Sequence, residues 1–265
     1  MLKIKVNNYF VNYGILFFIS FNLLSEDIGQ PGELFPIKVD YAESNESSGL
    51  VKINNDYFKL IPLSYSKQGE YIEFNKSKIY VQKKDFGESR ITITNNKLVD
   101  LSDEDRERTI RESAIIKKAL QSYSKDIKPK FNFMRPVEGI ISSRYGKKRF
   151  INDSPRSPHL ALDIAAPEGT AIFAPDNGRI ILIGNFFYSG NFVLIDHGYG
   201  LVSSYSHLSS VSVSKGDILN KGQKIGEVGS TGRVTGPHLH WTVYYEGVRI
   251  NPESLLRDNY LRTLL

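Results

Sequence analysis

The sequence predicts a mainly β protein in which two β-rich units are joined by one α-helix. Three observations carry that expectation. Fifteen tyrosines and fifteen phenylalanines accompany plentiful β-branched residues, a composition that favours strands. Short apolar or alternating runs recur between turn signals over residues 30–100, and again from about Phe133 to Leu256. Between these regions the hydrophobic period changes once, to helical spacing, over residues 102–124. A chain of 265 residues can bury a full core and form one or two domains. The expected division is a leader at 1–25, a small β-sandwich or barrel at 26–100, a helix and linker at 101–132, and a second β-rich domain at 133–265.

The leader comes first. Lys3 and Lys5 make a basic start, no acid occurs in residues 1–25, and residues 14–24 form an apolar core. That core has the length of a signal peptide and falls short of the ~20 residues of a membrane span. A cut after Ser25 removes it; retention would leave an N-terminal membrane anchor. Strands are expected at 34–39, 50–54, 57–63, 71–74, 78–82 and 90–94, between turn signals such as Gln30-Pro31-Gly32, Ser47-Ser48-Gly49 and Asn95-Asn96. No histidine lies in this region, which argues against a metal site there. The helix follows. Ser102 is its N-cap, Asp103, Glu104 and Asp105 fill the first turn, and Lys117 and Lys118 lie toward the end, as the helix dipole favours. Ile116, Leu120 and Tyr123, with Ile110 and Ala119 nearby, give it a packing face. After the proline-punctuated linker 125–136, strands are expected at 139–142, 170–174, 178–183, 192–196, 201–206, 225–228 and 239–245.

Composition excludes several functions. Cysteine is absent, so there are no disulfides, thiolate nucleophiles or Cys-type zinc sites. The net charge of +5 is a mild excess over 29 acidic residues, and the basic residues are scattered among acids without a recognition motif. No nucleic-acid partner is expected.

The chemistry is concentrated in the second unit, because all five histidines fall between residues 159 and 240. His238 and His240 sit two apart at the start of a β-type run, so both project from one face. They can share a metal, or one can hold it while the other moves protons. His159 and Asp163 form an H-x-x-x-D pair between Pro158 and Pro167. In a straight strand they would stand about 13 Å apart, so joint chelation requires the chain to bend between them. His207 ends a strand-like run, and His197, in Asp196-His197-Gly198-Tyr199-Gly200, reads as a turn-stabilising residue. Three protein ligands and an open position define a catalytic zinc site. His159, Asp163 and one of the 238/240 pair supply three; His207 and the remaining histidine can flank a zinc-activated water as base and acid. Such a set points to amide hydrolysis.

Five separated motifs, in order, resemble one family: Pro158-His159-Leu160-Ala161-Leu162-Asp163, Tyr205-Ser206-His207-Leu208, Gly222-Gln223-Lys224-Ile225-Gly226, Gly229-Ser230-Thr231-Gly232 and Gly236-Pro237-His238-Leu239-His240-Trp241. The resemblance is to the lysostaphin-type, LytM-like zinc metalloendopeptidases, and it covers about Phe133 to Leu256. It implies a twisted antiparallel sheet with Zn2+ in a groove, zinc ligands His159, Asp163 and His240, and catalytic residues His207 and His238. The implied substrate is the stem peptides or cross-bridges of bacterial peptidoglycan, and the implied place is the periplasm or cell envelope of an exporting cell. Two departures stand out. Ala161 replaces a frequent glycine, and no tyrosine lies in 151–158, where some members carry one that stabilises the transition state; Tyr145 or Tyr205 are the candidate substitutes. The N-terminal region resembles upstream regions of Gram-negative members, which implies a regulatory contact between residues 26–125 and the groove. The competing readings are a non-catalytic envelope module that binds peptidoglycan or activates another hydrolase, and a zinc peptidase acting on folded proteins or free peptides.

Overall fold

A computed structural model describes residues 27–39, 49–93 and 101–265. The expected leader, the Ser47-Ser48 turn and the Asn95-Asn96 turn lie outside the described residues. Among the described residues no helix is long and apolar enough to cross a membrane.

The N-terminal region builds two three-stranded sheets. β1 (Asp27–Gly29), β2 (Leu34–Val39), β3 (Leu50–Ile53), β4 (Asp56–Pro62), β5 (Tyr71–Phe74) and β6 (Ser77–Val81) pair in the orders β2-β4-β3 and β1-β6-β5. Alternating apolar residues face inward: Ile61, Leu63, Ile79 and Val81 are buried, with Phe35, Ile37, Ile72 and Phe74 packed around them. Where the sequence predicts a small β-sandwich or barrel, the described residues form two separate three-stranded sheets that share an apolar cluster. β1, absent from the sequence expectation, runs parallel to β6.

β7 (Glu88–Ile91) leaves this sandwich and pairs in parallel with β9 (Lys147–Ile151), beyond the helix in sequence. Between them come α1 (Asp103–Ala119) and β8 (Ile140–Ser143). Ser102 caps α1, its hydroxyl accepting the Asp105 N–H at 3.1 Å. The helix stops earlier than residue 124 because Ser122 and Ser124 turn their hydroxyls to Asp196 Oδ2, both at 2.7 Å. Ile110 is 64% exposed and takes no part in the packing face; Ile116, Ala119 and Leu120 do.

The remaining strands are β10 (Ser154–His159), β11 (Leu162–Ala165), β12 (Ala171–Phe173), β13 (Gly178–Phe186), β14 (Gly190–Asp196), β15 (Leu201–Val211), β16 (Ile218–Leu219), β17 (Lys224–Val228), β18 (His238–Tyr245) and β19 (Val248–Ile250), followed by α2 (Pro252–Leu255). A ten-stranded sheet runs β16-β13-β14-β15-β18-β11-β8, with β12, β17 and β19 attached. Its pairings are all antiparallel. One face buries Tyr205, Trp241, Val243 and Tyr245 in the main core, which also takes in Leu34 and Leu60 from the N-terminal sheet. Each large apolar side chain so buried contributes about 1.5–3 kcal/mol. At one end of the opposite face, Phe192, Leu194, Val202 and Tyr244 are covered by α1. The rest of that face carries the histidines.

Candidate metal centre

Register brings the ligands together. In β18, His238 and His240 share a face; β11 places Ala165 opposite the first and Asp163 opposite the second, while β15 sets Ser206 opposite His240. His159 arrives from another sheet. β10 ends at His159 and β11 begins at Leu162, so the chain bends through Leu160 and Ala161. This is the bend that joint chelation by His159 and Asp163 requires. His159 Nε2 lies 3.0 Å from Asp163 Oδ1, His240 Nδ1 lies 2.7 Å from the same oxygen, and the two nitrogens are 3.4 Å apart.

Hydrogen bonds behind the rings fix their tautomers. His159 Nδ1 donates to the Arg144 carbonyl at 3.1 Å, with the Ser143 hydroxyl also 3.1 Å away. Its Nε2 therefore presents a bare lone pair to a carboxylate oxygen. Two acceptors at that distance need a cation between them, either a metal or a second proton on the ring. Burial pushes the Asp163 carboxyl up, but the charge and hydrogen bonds of His240 and His159 outweigh it and hold the group well below the usual carboxylate range. The donor set, two imidazole nitrogens and one carboxylate oxygen, suits zinc, whose tetrahedral ligands stand roughly 3.4 Å apart.

His207 reaches this site by a backbone irregularity. Ser206 faces the groove, so strand alternation alone would turn His207 away. Its φ of +69° reverses the side chain's direction, and its N–H is taken by the Ser189 carbonyl at 2.7 Å. The ring then stands 4.9 Å from that of His238 and 5.8 Å from that of His240, centre to centre. His207 Nδ1 donates to the Thr231 carbonyl and His238 Nδ1 to the Gly236 carbonyl, both at 2.8 Å. Both rings thus keep Nε2 free to accept a proton. Burial, followed by the neighbouring His240 and His238, pushes the His207 pKa down to about 3, so the ring is neutral at physiological pH. Glycines permit the loop that does this: a Cβ on Gly232 (φ +76°) would stand 2.4 Å from Gly190 N and 2.6 Å from Tyr188 O.

Two cavities of about 420 Å³ each meet at His240 and share Arg149, Tyr188, Ser189, Ser206, Arg233 and His240. Together they form a groove across the metal centre. Ser89, Ile91 and Ile93 line one end, and Ile116 of α1 lines the other. His197 stays outside. It is fully buried, its Nδ1 donating to the Asn177 carbonyl and its Nε2 accepting from Ser203, each at 2.7 Å. Neither tyrosine substitute reaches the groove: Tyr145 is buried and donates to the Arg249 carbonyl at 3.2 Å, and Tyr205 lies in the main core. Tyr188 lines both cavities and Tyr244 the second; in sequence Tyr188 marks only a turn before Gly190. Arg149 and Arg233 also went unrecognised, since nothing local distinguishes them from other scattered basic residues.

Residues 157–252 match Peptidase family M23. The chain is 40% identical over 112 residues to the peptidoglycan DD-endopeptidase ShyA of Vibrio cholerae, covering 42% of this chain and 26% of that protein. It is 39% identical over 125 residues to the DD-carboxypeptidase/endopeptidase Mpg of Neisseria meningitidis, covering 47% and 29%. The chain thus spans under a third of the length of these two relatives. A solved peptidase M23 structure from Pseudomonas aeruginosa superposes with a TM-score of 0.66 at 27% identity, over 85% of this chain and 94% of that one. The part of the chain that holds the histidines thus carries a Peptidase family M23 domain.

Proposed function

We propose that this chain is an exported, zinc-dependent endopeptidase that hydrolyses peptide cross-links of bacterial peptidoglycan in the periplasm or cell envelope, with residues 133–265 as its catalytic unit. The observation that carries the reading is the convergence of His159, Asp163 and His240 beside two further imidazoles with free Nε2 atoms. His159 Nε2, Asp163 Oδ1 and His240 Nδ1 would hold the zinc. Bound there, zinc supplies Lewis acidity, polarising a peptide carbonyl and acidifying a water. His207, neutral and hydrogen-bonded through Nδ1, would take a proton at Nε2; His238, facing it with its own Nε2 bare, would receive that proton and pass it to the leaving amine. The groove is open along the sheet and accepts an extended peptide on both sides of His240. Residues 26–125 bear on access to it, since Ser89, Ile91, Ile93 and Ile116 form parts of its walls. The name of ShyA, a peptidoglycan DD-endopeptidase, supports peptidoglycan as the substrate.

The test is digestion of purified sacculi by zinc-loaded residues 26–265. Release of cross-link fragments that stops with chelator and returns with zinc is expected. Intact sacculi alongside cleaved free peptides would make the protein a general zinc peptidase. No cleavage of either would leave the non-catalytic module.

A further inference from the structure

The second cavity carries a charge pattern that the hydrolytic residues leave unexplained. Arg149 of β9 and Arg156 of β10 stand directly opposite each other across the hairpin. Like charges in that position destabilise an antiparallel pair. Among the described residues neither forms an ion pair with an acid, and burial lowers the Arg149 pKa against a smaller opposing effect of the Asp163 carboxylate. Arg149 is partly buried, and its Nε is enclosed without a hydrogen-bond acceptor, an arrangement that costs free energy unless something supplies one. Arg233 is the third cation, its guanidinium stacked 4.1 Å above the Tyr188 ring. Its pKa is lowered by burial and further by Arg149 and Arg156, which marks three positive charges close enough to repel. Arg249 completes the set. His159 and His240 lie on the same wall, and the lining contains no carboxylate.

We infer that this arginine-lined cavity is the subsite for a free carboxylate of the peptide substrate, gripped by Arg149 and Arg156 with Arg233 beside them. The inference rests on the endopeptidase reading of the neighbouring metal centre and narrows its substrate class. The planar guanidinium fork matches a carboxylate with two parallel hydrogen bonds. A bound carboxylate offsets the facing like charges of Arg149 and Arg156. The protein selects stems that carry a free carboxylate next to the cleaved bond, over amidated stems and neutral bridges.

The experiment compares the zinc-loaded protein on a cross-linked disaccharide-peptide dimer with free stem carboxylates and on the same dimer amidated. Amidation is expected to lower kcat/KM about ten- to a hundredfold, the range of a lost charged hydrogen bond. Arg149→Gln is expected to lower kcat/KM on the free dimer by clearly more than on the amidated one. Arg156 is exposed, so Arg156→Gln should fold normally, and it must show the same loss of discrimination. Equal cleavage of the two dimers by the unaltered protein, or an equal loss on both with either substitution, overturns the inference. If the unaltered protein cuts neither dimer, the endopeptidase reading fails by itself, and binding of a monomeric stem peptide decides the subsite. Binding that weakens about tenfold or more on amidation and on Arg156→Gln supports it; binding indifferent to both overturns it.

Discussion

His207 faces the groove because one φ angle, +69°, breaks the alternation of β15. Clustering of five histidines made the site legible in the sequence, as did the two-residue spacing of His238 and His240. The orientation of His207 was not legible, because period-2 alternation beside the groove-facing Ser206 points it to the other face. The bend at 160–161 could be required from chain geometry but not located against its partners. Arg149 and Tyr188 were invisible for another reason: Arg149 comes beside His159 only through the pairing of β9 with β10, and Tyr188 sits in the turn between β13 and β14, whose approach to the histidines is set by the folded sheet. His197 illustrates the opposite case, a histidine whose place in the core makes it a stability group. Burial lowers its pKa, against smaller opposing effects from the Asn177 carbonyl, Asp176 and Asp196. The unfolded chain therefore takes up its proton first as pH falls. The stability this ring contributes is complete above about pH 6.5 and is lost as pH drops through that value toward the folded pKa. Denaturant midpoints measured on chelator-treated protein should fall from about pH 7.5 to about 5, and should fall less in His197→Gln. Equal falls would assign the pH dependence to other groups.

At the level of elements, the composition predicted strands well where they alternate and missed those that depend on pairing. β11 is buried on both faces and only four residues long, and β1 is three residues long; neither carries a period to detect. The β9–β10 hairpin also escaped, although its Asn152-Asp153 turn has the residues for positive φ, 48° and 59°. That turn has a second task. Asn152 accepts the Ile93 N–H at 2.9 Å and donates to the Ile93 carbonyl at 3.0 Å, fastening the segment after β7 to the groove wall. Asn152→Gly keeps the backbone conformation and removes both bonds, so it should cost about 1–2 kcal/mol of stability. Because Ile93 lines the groove, KM for cross-linked substrate should also rise while zinc content stays constant. A change in stability without a change in KM would detach this clamp from substrate access.

Across the whole molecule, the N-terminal sandwich and the large sheet share packing. Leu34 and Leu60 belong to the same core cluster as Trp241 and Tyr260, and β7 extends the sheet of β9 and β10. The sequence separates two β units by a helix, and that reading of the order along the chain does not reveal that their side chains interlock. Leu60→Ala should cost about 2–5 kcal/mol and move a single thermal transition downward; two transitions, of which only one moves, would show that the regions melt independently. The convergence of His159, Asp163 and His240 with His207 brings the neighbouring strands β15, β18 and β11 together with the end of β10, and the proposed function divides these residues between metal binding and proton transfer. The most direct measurement of that division of labour is bound zinc per chain together with cross-link cleavage in the unaltered protein, Asp163→Asn and His207→Ala. One zinc and cleavage are expected in the unaltered protein, loss of both in Asp163→Asn, and retained zinc with cleavage reduced by at least about a hundredfold in His207→Ala. Zinc lost from His207→Ala, or cleavage surviving in it, would contradict the assignment of His207 to proton transfer beside the metal.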